Sequence, residues 1–303
     1  MDTFLSNLKG DLITKTFLFI GFSFTDPNLD YILSRVRVAH AGNQRRHYCF
    51  IHNVIRDNND SEADFDYKKR KQELFVNDLK RFNIKVILID SYTEITEFLI
   101  HLEKRYKKNT IFISGAAHEY GSFGERNATE FIYKLSSELV RRHYNIVSGF
   151  GLGIGSAVIS GTLEEIYLKK GHKITDQLIL RPFPQSTSGS VALPELWRQY
   201  REDMINHAGV AIFVYGNKKV DDKIVLSNGM QQEYEIAKSK GLLIIPLGLT
   251  GYMAKEIWTA ERKRIEDEKV SSQYVELFEK LNDSTMCLDN LSKVIFDMVT
   301  FNN

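Results

Sequence analysis

The sequence predicts an α/β protein in which a smaller α/β segment precedes a doubly wound parallel sheet. Two observations support this fold class. Short apolar runs alternate with helical patterns along most of the 303 residues, which is typical of strand–helix–strand units in parallel sheets. A glycine-rich stretch at residues 148–156, SGFGLGIGS, follows an apolar run and precedes a helical pattern. A strand, a glycine-rich turn and a helix in that order are typical of nucleotide sites in doubly wound folds.

The composition excludes several classes of protein. Apolar residues make up 43% of the sequence and charged residues 26%, as in ordinary globular proteins. The net charge of +1 gives no basic excess that would favour a nucleic-acid partner. The two cysteines, Cys49 and Cys287, lie far apart, which favours a reducing compartment over a disulfide framework. Because we find no signal peptide and no membrane-spanning apolar run, we expect a cytoplasmic protein without a membrane partner.

The first hundred residues are predicted to alternate strands and helices. Residues 16–21, TFLFIG, form a continuous apolar run, which predicts a strand buried on both faces. Asp26 and Pro27 suit the N-cap and the first position of a helix. The other predicted segments are a helix at 29–36, a strand at 47–52, a polar loop at 57–66, a helix at 67–81, a strand at 85–90 and a helix at 93–107.

A basic stretch at residues 104–109, KRYKKN, separates this pattern from the next, and we place a domain boundary between residues 108 and 109. A charged, solvated helix end explains the stretch more simply than a nucleic-acid site does. The second domain, 109–303, again alternates strands and helices, which predicts the doubly wound sheet. Its predicted strands are 110–114, 144–147, 177–181, 210–215 and 242–246, its helices are 128–142, 157–169, 194–207 and 229–240, its loops are 182–190 and 216–228, and the remainder is mostly helical.

The glycine-rich turn is the strongest chemical signal in the chain. Its four glycines are Gly149, Gly151, Gly153 and Gly155. Glycines allow close approach of the backbone, and the first N–H groups of the following helix favour an anion, so we expect a nucleotide phosphate. The spacing matches neither the dinucleotide G-x-G-x-x-G motif nor a P-loop. The alternative interpretation is that the glycines serve only tight packing between strand and helix.

Residues 19–28, FIGFSFTDPN, resemble the C-terminal part of a sirtuin-like NAD-binding domain. The resemblance implies that Gly21 and Ser23 contact the ribose side of NAD. Nothing before residue 16 matches the family's pyrophosphate turn or its catalytic Asn and His, so we assign no catalytic residue and expect no NAD hydrolysis by this chain alone. Three histidines follow the strand and are interpreted as structural or solvated: His40, His47 and His52.

The second domain resembles the SLOG superfamily, the nucleotide-binding fold shared with the LOG cytokinin-activating enzymes. Five features carry the resemblance in chain order. They are Ser114 and Gly115 at the end of the first strand, the turn from Gly149 to Gly155, Arg201 on a helix, the strand at 208–214 and the segment 229–233, GMQQE, ending in Glu233.

The last of these segments departs from the LOG pattern. Residues 226–233 read LSNGMQQE, so two glycines and the threonine of the LOG Pro-Gly-Gly-x-Gly-Thr-x-x-Glu motif are missing. In LOG enzymes an arginine and a glutamate support cleavage of a nucleoside monophosphate. Arg201 and Glu233 remain, but we expect the lost turn to leave them poorly positioned, which favours a nucleotide sensor over an enzyme. A LOG-type nucleoside-monophosphate phosphoribohydrolase is the alternative, and a scaffold with relict pockets is a third hypothesis.

A sirtuin-like segment followed by a SLOG domain resembles the effector family of the Thoeris anti-phage system. The resemblance implies that a TIR-domain partner makes a cyclic ADP-ribose isomer, that the SLOG domain binds this activator, and that the sirtuin-like domain then hydrolyses NAD. It also implies a homotetramer. The implied ligand residues are Arg201, Lys218 and Glu233.

The chemistry of those side chains suits a cyclic ADP-ribose isomer, which carries a pyrophosphate, two riboses and an adenine. A pyrophosphate requires N–H donors and at least one cation, which Arg201 and Lys218 can supply, while Glu233 can accept from ribose hydroxyls. The alternatives are a surface salt bridge for Arg201, a solvated Lys218 and a helix N-terminal carboxylate for Glu233. Three aromatic residues could stack on the base, although core packing is favoured for each: Phe183, Trp197 and Tyr215. We assign no metal.

Overall fold

The structure is a computed structural model that describes residues 2–24, 26–39, 45–168, 177–184, 192–268 and 270–301. The chain forms two compact units, Met1–His101 and Leu102–Asn303. The division falls inside helix α4 (Thr93–Lys107), slightly before the boundary expected between residues 108 and 109. His40, the expected helix end at 169 and most of the expected loop at 182–190 lie outside the described residues.

The first unit contains a three-stranded parallel sheet in the order β1–β2–β3. Buried side chains of the helices pack on it, among them Leu12 and Leu33. The helices before α4 and the strands are α1 (Asp2–Thr14), β1 (Leu18–Phe19), α2 (Pro27–Ala39), β2 (His47–His52), α3 (Glu62–Lys80) and β3 (Ile84–Ile89).

Two expectations for this unit are wrong. The strand expected at residues 16–21 is only β1, which is half-buried and followed by Ile20 at 46% exposure. It is an edge strand paired with β2 alone, so its aromatic residues are covered less completely than those of a central strand. Helix α3 begins at Glu62, inside the expected loop, because Ser61 and Asp64 form a capping box.

The second unit contains a five-stranded parallel sheet in the order β10–β7–β4–β5–β6. The chain builds outward from β4 in one direction and then in the other, so the predicted doubly wound fold is confirmed. Its elements are β4 (Thr110–Ala116), α5 (Gly124–Arg141), β5 (Asn145–Ser148), α6 (Gly155–Leu168), β6 (Leu178–Leu180), α7 (Leu193–Asn206), β7 (Val210–Tyr215), β8 (Asn217–Val220), β9 (Lys223–Leu226), α8 (Asn228–Ser239), β10 (Leu243–Pro246), α9 (Tyr252–Asp267), α10 (Ser272–Lys280) and α11 (Leu288–Phe301).

The core of the second unit lies on both faces of this sheet. Ile111 and Ile113 of β4 pack with helices α5, α6 and α11, whereas Phe112 packs on the opposite face with α7 and α8. This alternation follows from the two-residue period of a strand. Because helices cover both faces, the carboxyl edge of the sheet remains as the place for a ligand.

The segment expected to be a polar loop, 216–228, is instead an antiparallel hairpin of β8 and β9. Its turn residues, Asp221 and Asp222, have φ of 47° and 61°, the left-handed conformation that a two-residue hairpin turn requires. Asn217 anchors the hairpin, because its buried Oδ1 accepts from the N–H groups of His118 and Glu119 at 2.9 Å each. The hairpin is therefore fixed beside the loop that follows β4.

No helix among the described residues is long and apolar enough to cross a membrane. Within the same residues, no group of three or more His, Cys, Asp or Glu side chains is arranged to hold a metal ion.

Candidate functional site

A cavity of about 810 Å³ lies at the carboxyl ends of β4 and β5. Its volume is within the range of small-molecule sites in proteins. It brings together eight of the nine residues expected to bind the signal nucleotide: Ser114, Gly115, Gly149, Gly151, Gly153, Arg201, Lys218 and Glu233. Gly155 does not line the cavity but is buried against Phe150 at the start of α6.

The glycines of the turn permit close packing against the end of β4. A β-carbon on Gly151 would overlap the carbonyl oxygen of Gly115, and one on Gly153, whose φ is 75°, would overlap that of Ala117. The Ala117 N–H donates to the Leu152 carbonyl at 2.8 Å, which fixes the two loops together. Tight packing, the alternative interpretation of these glycines, therefore describes part of their role.

The same turn also presents unpaired amide donors. In the described part of the chain, the N–H groups of Gly151, Leu152 and Gly153 have no protein acceptor. Helix α6 begins directly after them, and Ser156 in its first turn lines the cavity. Unpaired N–H groups and a helix N-terminus at one place favour the binding of an anion.

Opposite the turn, Arg201 and Glu233 form a buried ion pair. Each residue is only 9% exposed, and Arg201 Nε lies 3.6 Å from Glu233 Oε1. Ser114 donates its hydroxyl to Glu233 Oε2 at 2.6 Å. Arg201 Nε has no hydrogen-bond partner, and its guanidinium lies over the ring of Phe183 at 4.8 Å. An arginine with an unsatisfied buried donor retains capacity to bind an anion.

Burial raises the pKa of the Glu233 carboxyl, while the Ser114 hydrogen bond and the Arg201 charge act in the opposite direction. The net direction is upward, because removing a carboxylate from water is the larger effect at this depth. Glu233 therefore takes up a proton more readily than an exposed glutamate does.

The expectation that the altered motif at 226–233 leaves Arg201 and Glu233 poorly positioned for cleavage stays a prediction, although the two side chains do meet at the cavity. Ser227 still caps α8 by accepting from the Met230 N–H, so the helix that carries Glu233 begins in place. A β-carbon on Gly229 would lie 2.9 Å from Arg201 Nη2, so this remaining glycine gives the guanidinium its room. The surface salt bridge considered for Arg201 is excluded by its burial. The helix N-terminal position considered for Glu233 is excluded because Glu233 lies beyond the first turn of α8.

Lys218 stands at the mouth of the cavity on strand β8. Its Nζ donates to Asn228 Oδ1 at 2.7 Å, which links the hairpin to the first residue of α8. The side chain is therefore held by one neutral partner rather than a carboxylate, and its positive charge remains available to a ligand.

The structure separates the three aromatic candidates. Phe183 and Trp197 line the cavity, and the Trp197 indole is oriented by donating to the Pro184 carbonyl at 2.7 Å. Tyr215 is fully buried in the core, so it cannot stack on a ligand. Phe150 also lines the cavity, 50% exposed and with φ of 59°, although the sequence analysis did not select it. Its position between Gly149 and Gly151 was the feature of the sequence that could have identified it as a cavity residue.

The residues expected at the NAD site lie in the first unit. Gly21 follows β1 with φ of 67° and open space where a β-carbon would stand, and Ser23 lies two residues later on an exposed turn. His47 is buried and its Nδ1 accepts from the Phe17 N–H at 3.1 Å, a structural role. Ribose contact by Gly21 and Ser23 stays a prediction.

Comparison with protein families agrees with this division. Residues 94–301 match the Sir2- and TIR-associating SLOG family, and residues 2–76 match a SIR2-like domain. The chain belongs to the Sir2- and TIR-associating SLOG family. The predicted order of a sirtuin-like segment followed by a SLOG domain is thereby confirmed.

Three relatives of this SLOG-family chain are each named NAD(+) hydrolase ThsA. The protein of Bacillus cereus strain MSX-D12 is 48% identical over 301 residues, which cover 99% of this chain and 62% of the relative. That of Cytobacillus dafuensis is 48% identical over 263 residues, 84% of this chain and 53% of the relative. That of Acinetobacter baumannii strain 532279 is 43% identical over 288 residues, 92% and 60% respectively. The chain thus spans between half and two thirds of the length of these relatives.

Proposed function

We propose that this chain belongs to an NAD-hydrolysing effector of Thoeris anti-phage defence and contains its regulatory site. In this proposal the SLOG unit binds a cyclic ADP-ribose isomer as activator. The observation that carries it is the cavity in which the glycine turn, Arg201, Lys218 and Glu233 converge. The name of the relatives, NAD(+) hydrolase, supports NAD as the substrate of the complete protein.

Each part of the proposed ligand has a matching group in the cavity. The unpaired N–H groups of residues 151–153 and the Arg201 guanidinium suit the pyrophosphate, and Lys218 adds a second charge at the mouth. The Glu233 carboxyl suits a ribose hydroxyl. Trp197 and Phe150 offer apolar rings for the adenine.

Signalling requires more than binding. A ligand activates a protein only if it binds the active state more tightly than the inactive one. We propose that a TIR-domain partner supplies the cyclic nucleotide in the cytoplasm and that the active state is a rearranged homotetramer in which the sirtuin-like domain hydrolyses NAD. The first unit would contribute Gly21 and Ser23 to the NAD site, and the catalytic groups would come from protein outside this chain.

A calorimetric titration of the chain with cyclic ADP-ribose isomers tests the binding step. We expect one site per chain, and we expect Arg201→Ala to weaken binding at least tenfold, since a charge-assisted bond to phosphate contributes about 1.5–3 kcal/mol. Arg198→Ala is the matched control, because Arg198 lies on the same helix but is exposed and pairs with Glu195 and Glu202. Equal binding by both variants, or none by the unmodified chain, would refute the proposal.

The buried Arg201–Glu233 pair also supports a second candidate, a LOG-type nucleoside-monophosphate phosphoribohydrolase. A carboxyl with a raised pKa beside an arginine is the kind of pair that supports acid catalysis at a glycosidic bond. Incubating the chain with AMP and measuring free adenine separates the two. Steady adenine release that disappears in Glu233→Ala would favour the enzyme, whereas cyclic nucleotide binding without release favours the sensor.

A further inference from the structure

A second pocket lies at the opposite, amino-terminal edge of the five-stranded sheet. It has a volume of about 370 Å³ and is lined by residues just before β4, β7 and β10 together with parts of α9, α10 and α11. Active sites of doubly wound folds form at the carboxyl edge, so this pocket is separate from the nucleotide cavity. No lining residue is shared between the two.

The rim of this pocket is strongly cationic. Five basic residues line it and no acidic residue does: Lys104, Lys107, Lys108, Lys240 and Arg264. Two of them are neutralised, because Lys107 pairs with Glu103 and Arg264 pairs with Glu261 and Glu268. In the described part of the chain, the other three have no carboxylate partner. Three uncompensated charges around one depression favour an anionic ligand.

Apart from the basic residues, the lining is largely apolar and includes two polar side chains, Asn206 and Tyr274. Ile265 and Phe301 contribute hydrocarbon surface, and Tyr274 lines the same pocket. Tyr274 is only 7% exposed, and its hydroxyl forms no hydrogen bond among the described residues. Burial raises the pKa of Tyr274 to about 12, so the hydroxyl remains a donor at neutral pH. The hydroxyl is therefore a donor that a ligand in the pocket can use.

Lys108 is held against the sheet, whereas Lys104 and Lys240 are exposed at the ends of their helices. A β-carbon on Gly209 would lie 2.5 Å from the Lys108 backbone nitrogen, so the start of β7 packs directly on the main chain of residues 107–108. The Gly209 N–H also donates to the Thr110 carbonyl at 3.1 Å. The stretch interpreted from sequence as a solvated helix end is therefore partly buried at Lys107 and Lys108 and built into a pocket.

We propose that this pocket binds an amphipathic anion with a compact apolar body and one phosphate or carboxylate group. The apolar part would cover the apolar lining, and the anionic group would lie among Lys104, Lys108 and Lys240. The volume is below half that of the nucleotide cavity, which favours a ligand smaller than a dinucleotide. This inference does not depend on the proposed function, because it rests on a different edge of the sheet.

Calorimetry with the full chain tests the site using four probes. Octyl phosphate and octanoate carry both features, 1-octanol lacks the charge and inorganic phosphate lacks the apolar body. We expect octyl phosphate or octanoate to bind at least tenfold more tightly than either single-feature probe, and the tighter of the two identifies the preferred head group. No millimolar binding of either amphiphile, or equally tight binding of inorganic phosphate, would overturn the proposal.

Variants locate the binding. The triple change Lys104→Gln, Lys108→Gln and Lys240→Gln should weaken binding about tenfold, since it removes every unpaired cation. Lys223→Gln, Lys255→Gln and Lys263→Gln remove equal charge from exposed positions elsewhere and should change nothing. Tyr274→Phe keeps the ring and should weaken binding a few-fold. Arg201→Ala should leave it intact, and unchanged binding in the first triple variant would refute the site.

Discussion

The turns after β1 and β5 both follow a parallel strand and both contain glycine, yet they form different surfaces. Around Gly21 there is open space, and its neighbours Ile20 and Phe22 are 46% and 41% exposed. Around Gly151 the main chain of β4 is so close that no side chain fits. The first turn lies on an edge strand, whereas the second lies beside the central strand of five.

This difference shows what a glycine turn needs in order to form a cavity. In the second unit, separate parts of the chain close over the turn: the end of β4, the β8–β9 hairpin, and helices α7 and α8. Ser114 and Glu233 meet there although 119 residues separate them. A glycine turn alone offers backbone donors, and only the surrounding elements supply charge, depth and shelter from water.

The largest expected effect separates the two turns directly. Gly151→Ala should destabilise the second unit by about 3 kcal/mol, because the new β-carbon overlaps the Gly115 carbonyl and the backbone must move. Gly21→Ala should cost only about 1 kcal/mol, the price of a left-handed conformation in open space. Both tryptophans, Trp197 and Trp258, lie in the second unit, so urea unfolding followed by their fluorescence should respond to the first change alone.

The second prediction concerns the groups that close the cavity. Ser114→Ala should destabilise the second unit by about 2 kcal/mol, because it leaves the buried Glu233 carboxylate with one hydrogen bond fewer. Ser136→Ala is a matched control, since Ser136 is equally buried but donates only to the Ile132 carbonyl within its own helix. Its effect should be about 0.5 kcal/mol or less. If both variants lose the same free energy of unfolding, the hydrogen bond from Ser114 to Glu233 does not stabilise the fold more than an ordinary serine bond within a helix.

Local patterns in the sequence account for most of the fold. The strand at 210–215 is uniformly apolar and the helix at 93–107 is bounded by polar turns, and both have the predicted limits. The strand at the edge of the first sheet is shorter and more exposed than predicted, because an apolar run does not show how many strands will lie beside it. The hairpin was missed because its lysines conceal the alternation of β8 and β9 and its turn uses Asp221 and Asp222 in place of glycine.

The candidate site was predictable where residues match a family motif and not where it depends on long-range packing. The family resemblance brought Arg201, Lys218 and Glu233 to the same site, and the structure places all three around one cavity. Their geometry was not predictable, since it depends on the Ser227 cap and on the room that Gly229 leaves. Phe150 was missed although it lies inside the glycine turn, because the sequence does not show that its side chain is exposed.

The third prediction concerns the protonation of the buried Glu233 carboxyl and its effect on stability. The folded-state pKa of Glu233 is raised above its unfolded value, so the folded state binds this proton more tightly. The stabilising effect of protonation is complete below the unfolded pKa and is lost as pH rises through the folded pKa. Relative to Glu233→Gln, the unmodified chain should therefore lose free energy of unfolding as the pH rises above the unfolded pKa of a glutamate, about 4.3.

Urea unfolding followed by tryptophan fluorescence at several pH values measures this difference. The exposed Glu195→Gln provides the control, because the pKa of Glu195 is lowered by its bonds to Arg198 and Gln199 and its contribution therefore has the opposite sign. Parallel pH profiles for Glu233→Gln and the unmodified chain would mean that the pKa of Glu233 is unchanged by folding.

The smallest expected effect concerns the β8–β9 hairpin beside the glycine turn of the second unit. The turn after β1 in the first unit has no such hairpin beside it. Asp222 holds a φ of 61° in the hairpin turn, a conformation that glycine adopts without strain. Asp222→Gly should therefore stabilise the second unit by about 0.5 kcal/mol, even though it removes an exposed ion pair with Lys219. Asp222→Ala removes the same ion pair without relieving the strain and should not stabilise the chain. If both variants behave alike in the fluorescence-monitored unfolding, the left-handed conformation of Asp222 has no measurable cost in stability.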